Sequence, residues 1–411
     1  MSARDLRKYW AGQTLSTFGS VFTAVALPIV AVEHLNAGPA EISLISAAAF
    51  VPTVLLGLPA GLLADRIRRP RRALLLLDTF SAIAVAVVAL GVATDTATVA
   101  WFAVLAAVQG AAGILLEVLY FIHLGQLTDA GSLGPARARL QAGQFGAALV
   151  GRLLVGPTIV LTGASVAILV DAVTYVLSVA ALLAMAPVAP LARRPLAAAG
   201  GMLNDVFAGL RFLSGTAYYR TLLLFFVVPG AAMAGVGALT APFLLRVVGV
   251  PTAAYGLLFA ATGLLGLGGS MAAGRILRAG HDPARVTLVS FVASLATALL
   301  LPLAPGPLPV AAAVAAAGIG LPVFFGAVAN VTLSPMIIAD AAEDQIGRTV
   351  ATFKVVAALS SLAGAVAGGL LGETLGVRPA IWTLQIGALV VIAGCLPAAF
   401  RSARPTAEVP A

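Results

Sequence analysis

The stretch Gly57 to Arg72, GLPAGLLADRIRRPRR, interrupts a long apolar run with a block of charge. Five arginines and one aspartate stand within the eight residues from Asp65 to Arg72. Placing one charged side chain at the centre of a bilayer costs about 2.5–3.5 kcal/mol on the insertion scale. The stretch therefore predicts a short turn at a water interface, joining two membrane-spanning helices.

The rest of the chain has the composition of a polytopic membrane protein. Of its 411 residues, 61% are hydrophobic and 10% are charged, whereas soluble domains carry about 25% charged residues. The mean hydropathy is +1.05. Apolar runs of 18 or more residues recur along the chain without alternating, and this pattern predicts spanning helices and excludes barrel strands.

Twelve apolar segments are long enough to span a bilayer, with boundaries good to about four residues. The segments are 9–33, 41–64, 73–94, 98–122, 138–162, 164–187, 219–245, 252–274, 285–304, 308–334, 347–372 and 376–400. Because the number is even, both ends of the chain lie on the same side of the membrane. The sequence thus predicts an all-α protein with twelve transmembrane helices.

The basic residues decide which side that is. Of the 24 lysines and arginines, 21 fall in the tails or at turns after even-numbered spans. Arg246 and Arg378 fall on the opposite side, and Arg152 lies within a span. Because positive charge concentrates in cytoplasmic loops, we expect both termini to be cytoplasmic in an inner or plasma membrane. Because the basic residues are distributed over alternate loops and do not form one patch, the sequence also argues against a nucleic-acid partner.

The longest polar gap divides the chain into halves. We expect an N-terminal six-helix bundle over 1–187, a cytoplasmic linker over 188–218, a C-terminal bundle over 219–400 and a cytoplasmic tail over 401–411. Apolar residues spaced by three and four in the linker predict a short amphipathic helix. The arginine turn recurs in weaker form as AGRILR at 273–278, which indicates two related six-helix repeats.

No pattern points to an enzyme or to a bound cofactor. His34, His123 and His281 stand alone and Cys395 is the single cysteine, so we expect no metal site. The sequence has no GxxxxGK[ST] motif for ATP, and neither HExxH nor GxSxG for hydrolysis. An intramembrane enzyme is therefore disfavoured, and a proton gradient is the expected energy source.

The arginine turn resembles the cytoplasmic signature of the major facilitator superfamily. In the sequence GLLADRIRRPRR, four residues match that signature: Gly61, Asp65, Arg66 and Arg69. Arg68 stands where the signature usually has a glycine. The resemblance implies the superfamily fold of two six-helix repeats, and it implies that this turn is a conformational gate whose aspartate meets the positive N-terminal end of span 11.

Longer stretches are similar to the transmembrane secretion effectors, a branch with enterobactin exporters and macrolide efflux proteins. The similarity is carried by LRKYWAGQTLSTFGS (6–20), GPTIVLTGASVAILVDAVTYVLSVAALL (156–183), DVFAGLRFL (205–213), DQIGRTVATFKVV (344–356) and GGLLGETLGVRPAIW (368–382). Exporters of the superfamily also carry a glycine-rich bend in span 5, whose spacing fits Gly143, Gly156 and Pro157, whereas Arg152, Val160 and Leu161 stand where glycines are usual. Ordinary packing of small residues is the alternative explanation of Gly143 and Gly156.

Ionisable residues within the spans are the candidates for proton coupling. They are Asp78 in span 3, Glu117 in span 4, Arg152 in span 5 and Asp171 in span 6. We expect Glu117 or Asp171 to bind the transported proton, with Arg152 as a charge partner. The alternative is that these charges pair statically and set the helix register, and Asp78 has the further alternative of pairing with the arginine turn.

The resemblance implies a substrate cavity faced by spans 1, 4, 7 and 10. The candidates for its wall are polar or aromatic: Gln13, Thr17, Ser20, Gln109, Tyr120, Tyr175, Phe225, Phe226, Phe325 and Asn330. For the aromatic residues, packing or lipid contact is the alternative. Few fixed charges occur on these spans, which favours a hydrophobic or amphipathic small molecule.

These observations favour a monomeric secondary transporter that exports such a molecule in exchange for protons. An uptake symporter of the same fold is the first alternative. A membrane scaffold or sensor without transport is the second, although a scaffold has little reason to bury charge.

Replacing Asp65 by Asn tests the gate. We expect the transport rate to fall while the amount of protein in the membrane stays the same, because the amide lacks the charge that a helix N-terminus attracts. The rate per inserted molecule is the measurement. An unchanged rate would reduce Asp65 to an anchor of the turn.

Overall fold

The computed structural model describes residues 3–57, 67–128, 132–186, 217–304, 306–340 and 346–402. Its twelve long helices are α1 Ala3–Glu33, α2 Pro39–Leu56, α3 Pro70–Ala93, α4 Val99–Leu127, α5 Leu133–Thr162, α6 Ala164–Leu183, α7 Ala217–Pro242, α8 Thr252–Arg278, α9 Pro283–Ala298, α10 Leu308–Asp340, α11 Ile346–Leu375 and α12 Val377–Ser402. No strand occurs in these ranges, and twelve helices are long and apolar enough to cross a membrane. The predicted all-helical fold with twelve spans is confirmed.

Two short segments depart from the predicted pattern. A π-helical turn over Phe243–Val248 continues α7, and a four-residue helix over Leu300–Leu303 follows α9. The predicted gate residues Gly61, Asp65 and Arg66 lie outside the described residues, as do residues 188–216 of the predicted linker with its amphipathic helix.

Single glycines make the sharpest connections between the helices. Gly163, at φ 92°, is the one residue between α5 and α6, and Gly376, at φ 88°, is the one residue between α11 and α12. A side chain would be strained in this left-handed conformation, so glycine allows the chain to reverse within one residue. The same connection thus joins the last two helices of each group of six.

The chain packs as two compact units. The first contains α1–α6 together with Leu244–Ala260, and the second contains α7, the part of α8 after Ala260, and α9–α12. In the first unit, α1 packs on α5 and α6, while α3 packs on α4 and α6. In the second, α7 packs on α11 and α12, while α9 packs on α10 and α12. Each of these pairs in the second unit corresponds to a pair in the first whose helix numbers are lower by six. These helices therefore pack in the same pattern in both units.

Small residues bring the helices of the second unit together. A Cβ added at Gly364 of α11 would lie 1.9 Å from the carbonyl oxygen of Ala231 in α7, and one added at Gly235 would lie 2.6 Å from that of Gly364. Since lipid is as apolar as the side chains, spanning helices associate through close van der Waals packing of this kind.

Arg246 and Arg378, the two arginines predicted on the side of the membrane opposite to the other basic residues, donate hydrogen bonds to backbone carbonyls at helix ends. Arg246 donates from Nη2 to the carbonyl of Val32, at 2.6 Å, and from Nη1 to that of Ala37, at 2.9 Å. Arg378 donates to the carbonyl of Ala304 at 3.0 Å. The last carbonyls of a helix lack partners within the helix, so a guanidinium placed there satisfies them.

The end of the arginine turn is attached to α6 in the same way. Arg71 donates from Nε to the carbonyl of Leu182, at 2.9 Å, and from Nη2 to that of Leu183, at 3.1 Å. Lys8 of α1 donates to the next carbonyl, that of Ala184. Both cations therefore lie at the negative end of the α6 dipole. Arg69 is the last residue before α3.

Exchanging Gly364 for Ala should destabilise the second unit. The new methyl group meets backbone, which cannot yield as a side chain would, so we expect a loss of about 1–3 kcal/mol. The thermal unfolding midpoint of the purified chain in detergent is the measurement.

Gly387→Ala is the matched control, because a Cβ at Gly387 of α12 meets no atom within 4 Å. This exchange should keep or raise the midpoint, since alanine favours a helix over glycine by about 1 kcal/mol. Equal midpoints for the two variants would contradict the packing explanation.

Candidate functional site

The first unit contains a cavity of about 610 Å³. Its walls come from α1, α4 and α5, with one residue from α6: Tyr9, Gln13, Ser16, Thr17, Ser20, Val21, Gly113, Leu116, Glu117, Val118, Tyr120, Phe121, Leu124, Arg137, Leu140, Gln141, Gln144 and Tyr175. The volume lies within the range of about 300–1,000 Å³ that is usual for small-molecule sites.

The polar stripe of α1 forms one wall. Gln13, Thr17 and Ser20 follow one another at spacings of three and four, which places them on one face of the helix. Tyr9 lies one turn before Gln13 and extends the stripe. The three residues that the sequence predicted on this helix are thus all at the cavity.

The cavity wall carries one acidic and one basic side chain. Glu117 of α4 is exposed at the wall. One turn further along α4, the ring of Phe121 lies under the guanidinium of Arg137, whose Cζ is 4.9 Å from the ring centroid. Gln141 and Gln144 follow Arg137 on α5 at one and two turns. The wall therefore combines a carboxylate, a cation and amides with aromatic surface.

Tyr175 connects the wall to a polar side chain behind it. Its hydroxyl accepts a hydrogen bond from Nε2 of Gln109 at 3.2 Å and lies 3.3 Å from the hydroxyl of Ser20. Gln109, predicted for the wall, therefore supports Tyr175 from α4 and is not among the residues that line the cavity.

Asp78 is fully buried one hydrogen bond away from the cavity. Its Oδ2 accepts hydrogen bonds from the hydroxyl of Tyr120 at 2.7 Å and from that of Ser178 at 2.8 Å. Its Oδ1 has no partner among the described residues. Tyr120 lines the cavity, so its phenol joins the cavity wall to the buried carboxyl group.

Asp171 is also fully buried, but it lies in a helix contact. Thr23 of α1 donates to its Oδ2 at 2.5 Å, and Oδ1 has no partner among the described residues. A Cβ at Gly19 would lie 2.8 Å from Oδ1 and 1.8 Å from Oγ1 of Thr174. Glycine at position 19 thus allows α1 and α6 to close over the carboxyl group.

Arg152, expected as the charge partner of Glu117 or Asp171, forms no ion pair with Asp171 among the described residues. Within the described ranges neither Asp78 nor Asp171 forms an ion pair at all. Asp78 does not pair with the described arginines that follow the turn either. The same ranges contain no group of three His, Cys, Asp or Glu placed to hold a metal ion.

The glycines of α5 make the close contacts that small residues permit. A Cβ at Gly156 would lie 2.5 Å from the carbonyl oxygen of Thr252. In the reverse direction, a Cβ at Gly256 would lie 2.0 Å from the carbonyl oxygen of Arg152. Gly143 packs on α1, where a Cβ would lie 2.7 Å from Nε1 of Trp10. Pro157 lies inside α5.

The second unit has a smaller cavity of about 200 Å³. Phe226 and Asn330, both predicted for a cavity wall, line it. Phe225 lies elsewhere, because its side chain is 0% exposed and packs in the core of this unit. Phe325 contacts Phe324 at a centroid distance of 5.3 Å and is not among the residues that line this cavity.

Several wall residues were not named as site residues from the sequence, among them Tyr9, Arg137 and Gln141. Arg137 counted only as an interface charge, and Tyr9 and Gln141 were not assigned to the wall. A signal was present for each: Tyr9 continues the α1 stripe at a spacing of four, and Arg137, Gln141 and Gln144 follow the same rule on α5. Reading both stripes toward the helix ends would have found them.

The fold and the comparisons with known proteins agree on the class. The profile of the Major Facilitator Superfamily matches residues 9–336, and the chain belongs to this superfamily. It is therefore a multi-pass membrane protein with the fold of small-molecule transporters. No curated protein sequence matches the chain significantly.

Several solved structures share the fold at low sequence identity. The nucleoside transporter NupG has a TM-score of 0.78 at 14% identity, over 98% of this chain and 100% of that chain. A POT family transporter in complex with 5-aminolevulinic acid has 0.73 at 12%, over 98% and 97%. An inward-facing, unoccupied bacterial homolog of the human lysosomal transporter Spinster has 0.66 at 14%, over 97% and 96%.

Cysteine labelling tests the cavity. In a Cys395→Ser background, which removes the single native thiol, Gln141→Cys should react with a charged methanethiosulfonate reagent at least about tenfold faster than Ser81→Cys. Gln141 is exposed at the cavity, whereas Ser81 is 0% exposed within α3. The rates are measured on detergent-solubilised protein. Similar rates would show that water does not reach this wall.

Proposed function

We propose that the chain is a proton-coupled exporter of an amphipathic small molecule, working by alternating access. It acts as a monomer in the inner or plasma membrane, with both termini in the cytoplasm and without a bound cofactor. One observation carries the proposal: a drug-sized cavity stands one hydrogen bond from a buried carboxyl group that has no cationic partner among the described residues.

A carboxyl group in this position suits proton exchange. An isolated charge in an apolar interior is costly, and binding a proton removes the charge. Asp78 has two hydroxyl donors on one oxygen and none on the other. Asp171 has one hydroxyl donor, Thr23, on Oδ2 and none on Oδ1. Each carboxyl group can therefore be accommodated with or without a proton, as a coupling site requires.

The cavity wall supports an amphipathic substrate over a wholly hydrophobic one. Tyr9, Phe121 and Tyr175 offer aromatic surface, while Glu117 and Arg137 offer charge of both signs. Apolar walls with a few placed polar groups are the usual form of a small-molecule site. Polar cargo is known for fold relatives, since NupG is a nucleoside transporter and the POT relative was solved with 5-aminolevulinic acid.

Export is favoured by the resemblance of α5 to the exporter pattern at Gly143, Gly156 and Pro157. A Cβ at Gly156 would lie 2.5 Å from the carbonyl oxygen of Thr252, so helix packing accounts for this glycine with or without an exporter bend. An uptake symporter uses the same fold and remains the alternative, and a scaffold or sensor would not require the cavity.

The direction of driven transport separates these functions. Everted membrane vesicles containing the chain should accumulate ethidium, norfloxacin or erythromycin when their interior is made acidic, because protons leave in exchange. A symporter would expel the same solutes under that gradient. Vesicles without the chain are the control, and no net movement of any of the three would contradict export of amphipathic molecules.

Neutralising the carboxyl groups one at a time locates the coupling. We expect at least one of Asp78→Asn, Asp171→Asn and Glu117→Gln to reduce gradient-driven accumulation by about 5- to 150-fold, which is the factor that typical coupling energies correspond to. Solute–solute exchange without a gradient should persist, since it needs no proton. Ser81→Ala is the control on α3, and it should leave both activities unchanged. Full accumulation in all three variants would exclude these residues as proton sites.

A further inference from the structure

Tyr120 belongs to the cavity and to the buried carboxyl site at once. Its ring is part of the cavity wall, and its hydroxyl donates to Oδ2 of Asp78 at 2.7 Å. Its own carbonyl accepts a hydrogen bond from the hydroxyl of Tyr9 at 2.8 Å, which attaches this part of α4 to α1. A solute that packs against the ring is therefore linked to the hydrogen bond at the carboxyl group.

We propose that Tyr120 is the positioning residue through which occupancy of the cavity controls the proton on Asp78. The inference rests on the proposed function, and it assigns the coupling to one phenol. Tyr120 acts on the proton through Asp78 and does not carry the proton itself.

The chemistry is a change in the strength of one hydrogen bond. While Asp78 is ionised, the hydroxyls of Tyr120 and Ser178 both donate to Oδ2, and such charge-assisted bonds are about twice as strong as neutral ones. A hydronium ion then transfers a proton to Oδ1, the oxygen without a partner among the described residues: one O–H bond of hydronium breaks, one O–H bond to Oδ1 forms, and water is left. The charge disappears, the bond from Tyr120 weakens, and the ring is no longer held in the wall.

Reciprocity sets the direction of the effect. A solute that packs against the held ring binds more tightly to the ionised form. Linkage then requires that the bound solute disfavours the proton by the same factor. Solute and proton therefore compete, which is the relation that exchange transport requires.

No other titratable or charged group among the described residues links the cavity to Asp78 more directly than Tyr120. The titratable groups that interact with Asp78 are Tyr120 on α4 and Tyr175 on α6. Around them, Tyr9 on α1 interacts with Tyr120, Asp171 with Tyr175, and Arg71 on α3 with His123. Arg71 donates to the carbonyls of Leu182 and Leu183. His123 is packed against the ring of Tyr9 at a centroid distance of 5.9 Å. Among these groups, Tyr120 both lines the cavity and bonds to Asp78.

A matched pair of variants tests the proposal. Tyr120→Phe and Tyr175→Phe each keep an aromatic ring in the cavity wall and remove one hydroxyl. The hydroxyl of Tyr175 contacts Gln109 and Ser20 instead of an aspartate. Thermal unfolding midpoints of both variants verify that they fold.

Infrared pH-difference spectra of the full chain in lipid nanodiscs report the proton directly. The carboxylic acid band that Asp78→Asn removes identifies Asp78. We expect Tyr120→Phe to move the titration midpoint of this band by about one pH unit, because it removes a hydrogen bond to a charged group. Tyr175→Phe should leave the midpoint in place. An unchanged midpoint in Tyr120→Phe overturns the proposal.

Ethidium binding measures the second half of the coupling. In the wild-type chain the Kd for ethidium should rise at least about fivefold from pH 8 to pH 6. Tyr120→Phe should bind ethidium with little pH dependence, and Tyr175→Phe should keep the wild-type dependence. A full pH effect in Tyr120→Phe overturns the proposal, as does a wild-type chain without an Asp78-dependent infrared band. If that band is absent, the vesicle measurements on Asp171→Asn and Glu117→Gln still decide whether the proposed function is correct.

Discussion

An uncompensated charge or polar group in hydrocarbon is costly, and the placement of polar atoms in this chain follows from that constraint. The structure meets it in three ways. Arg71, Arg246 and Arg378 lie at helix ends and donate to carbonyls that the helices leave without partners. Glu117 lies at a cavity wall. Asp78 and Asp171 are buried, with hydroxyl donors as partners.

Helix packing serves the same constraint. Apolar surface gives little drive for association in lipid, so the contacts depend on glycines that let backbones approach. Gly19 illustrates the link between packing and chemistry: its missing side chain lets α1 close on α6, and this contact brings the hydroxyl of Thr23 to Asp171. In the second unit Gly235 and Gly364 make a close contact of α7 with α11, and Ser360 of α11 donates to the carbonyl of Val227 in α7 at 2.6 Å. The helix contacts of both units thus combine close backbone approach with hydroxyl hydrogen bonds.

The two buried aspartates differ in how they connect to the cavity. Asp171 bonds to Thr23, which is not among the residues lining the cavity, and its free oxygen lies against Gly19. Asp78 bonds to Tyr120, which is a wall residue. The sequence favoured Glu117 and Asp171 over Asp78 as the proton site, because depth within a span was the available criterion. Connection to the cavity depends on which helix face meets which neighbour, and of the two buried aspartates it favours Asp78.

The sequence by itself determined the class. Twelve apolar segments were enough for an all-helical membrane protein with twelve spans, because span length and the cost of burying charge are local properties of the chain. The superfamily came from the resemblance of the arginine turn to its signature. The sequence also placed Gln13, Thr17 and Ser20 on one stripe, since helical periodicity is local too. Only the tertiary structure decided that Phe225 lies in a core while Phe226 faces a cavity. It alone joined Tyr120 to Asp78, 42 positions apart in the chain. Such contacts arise where faces of different helices meet, and the spacing within one helix carries no information about its partner.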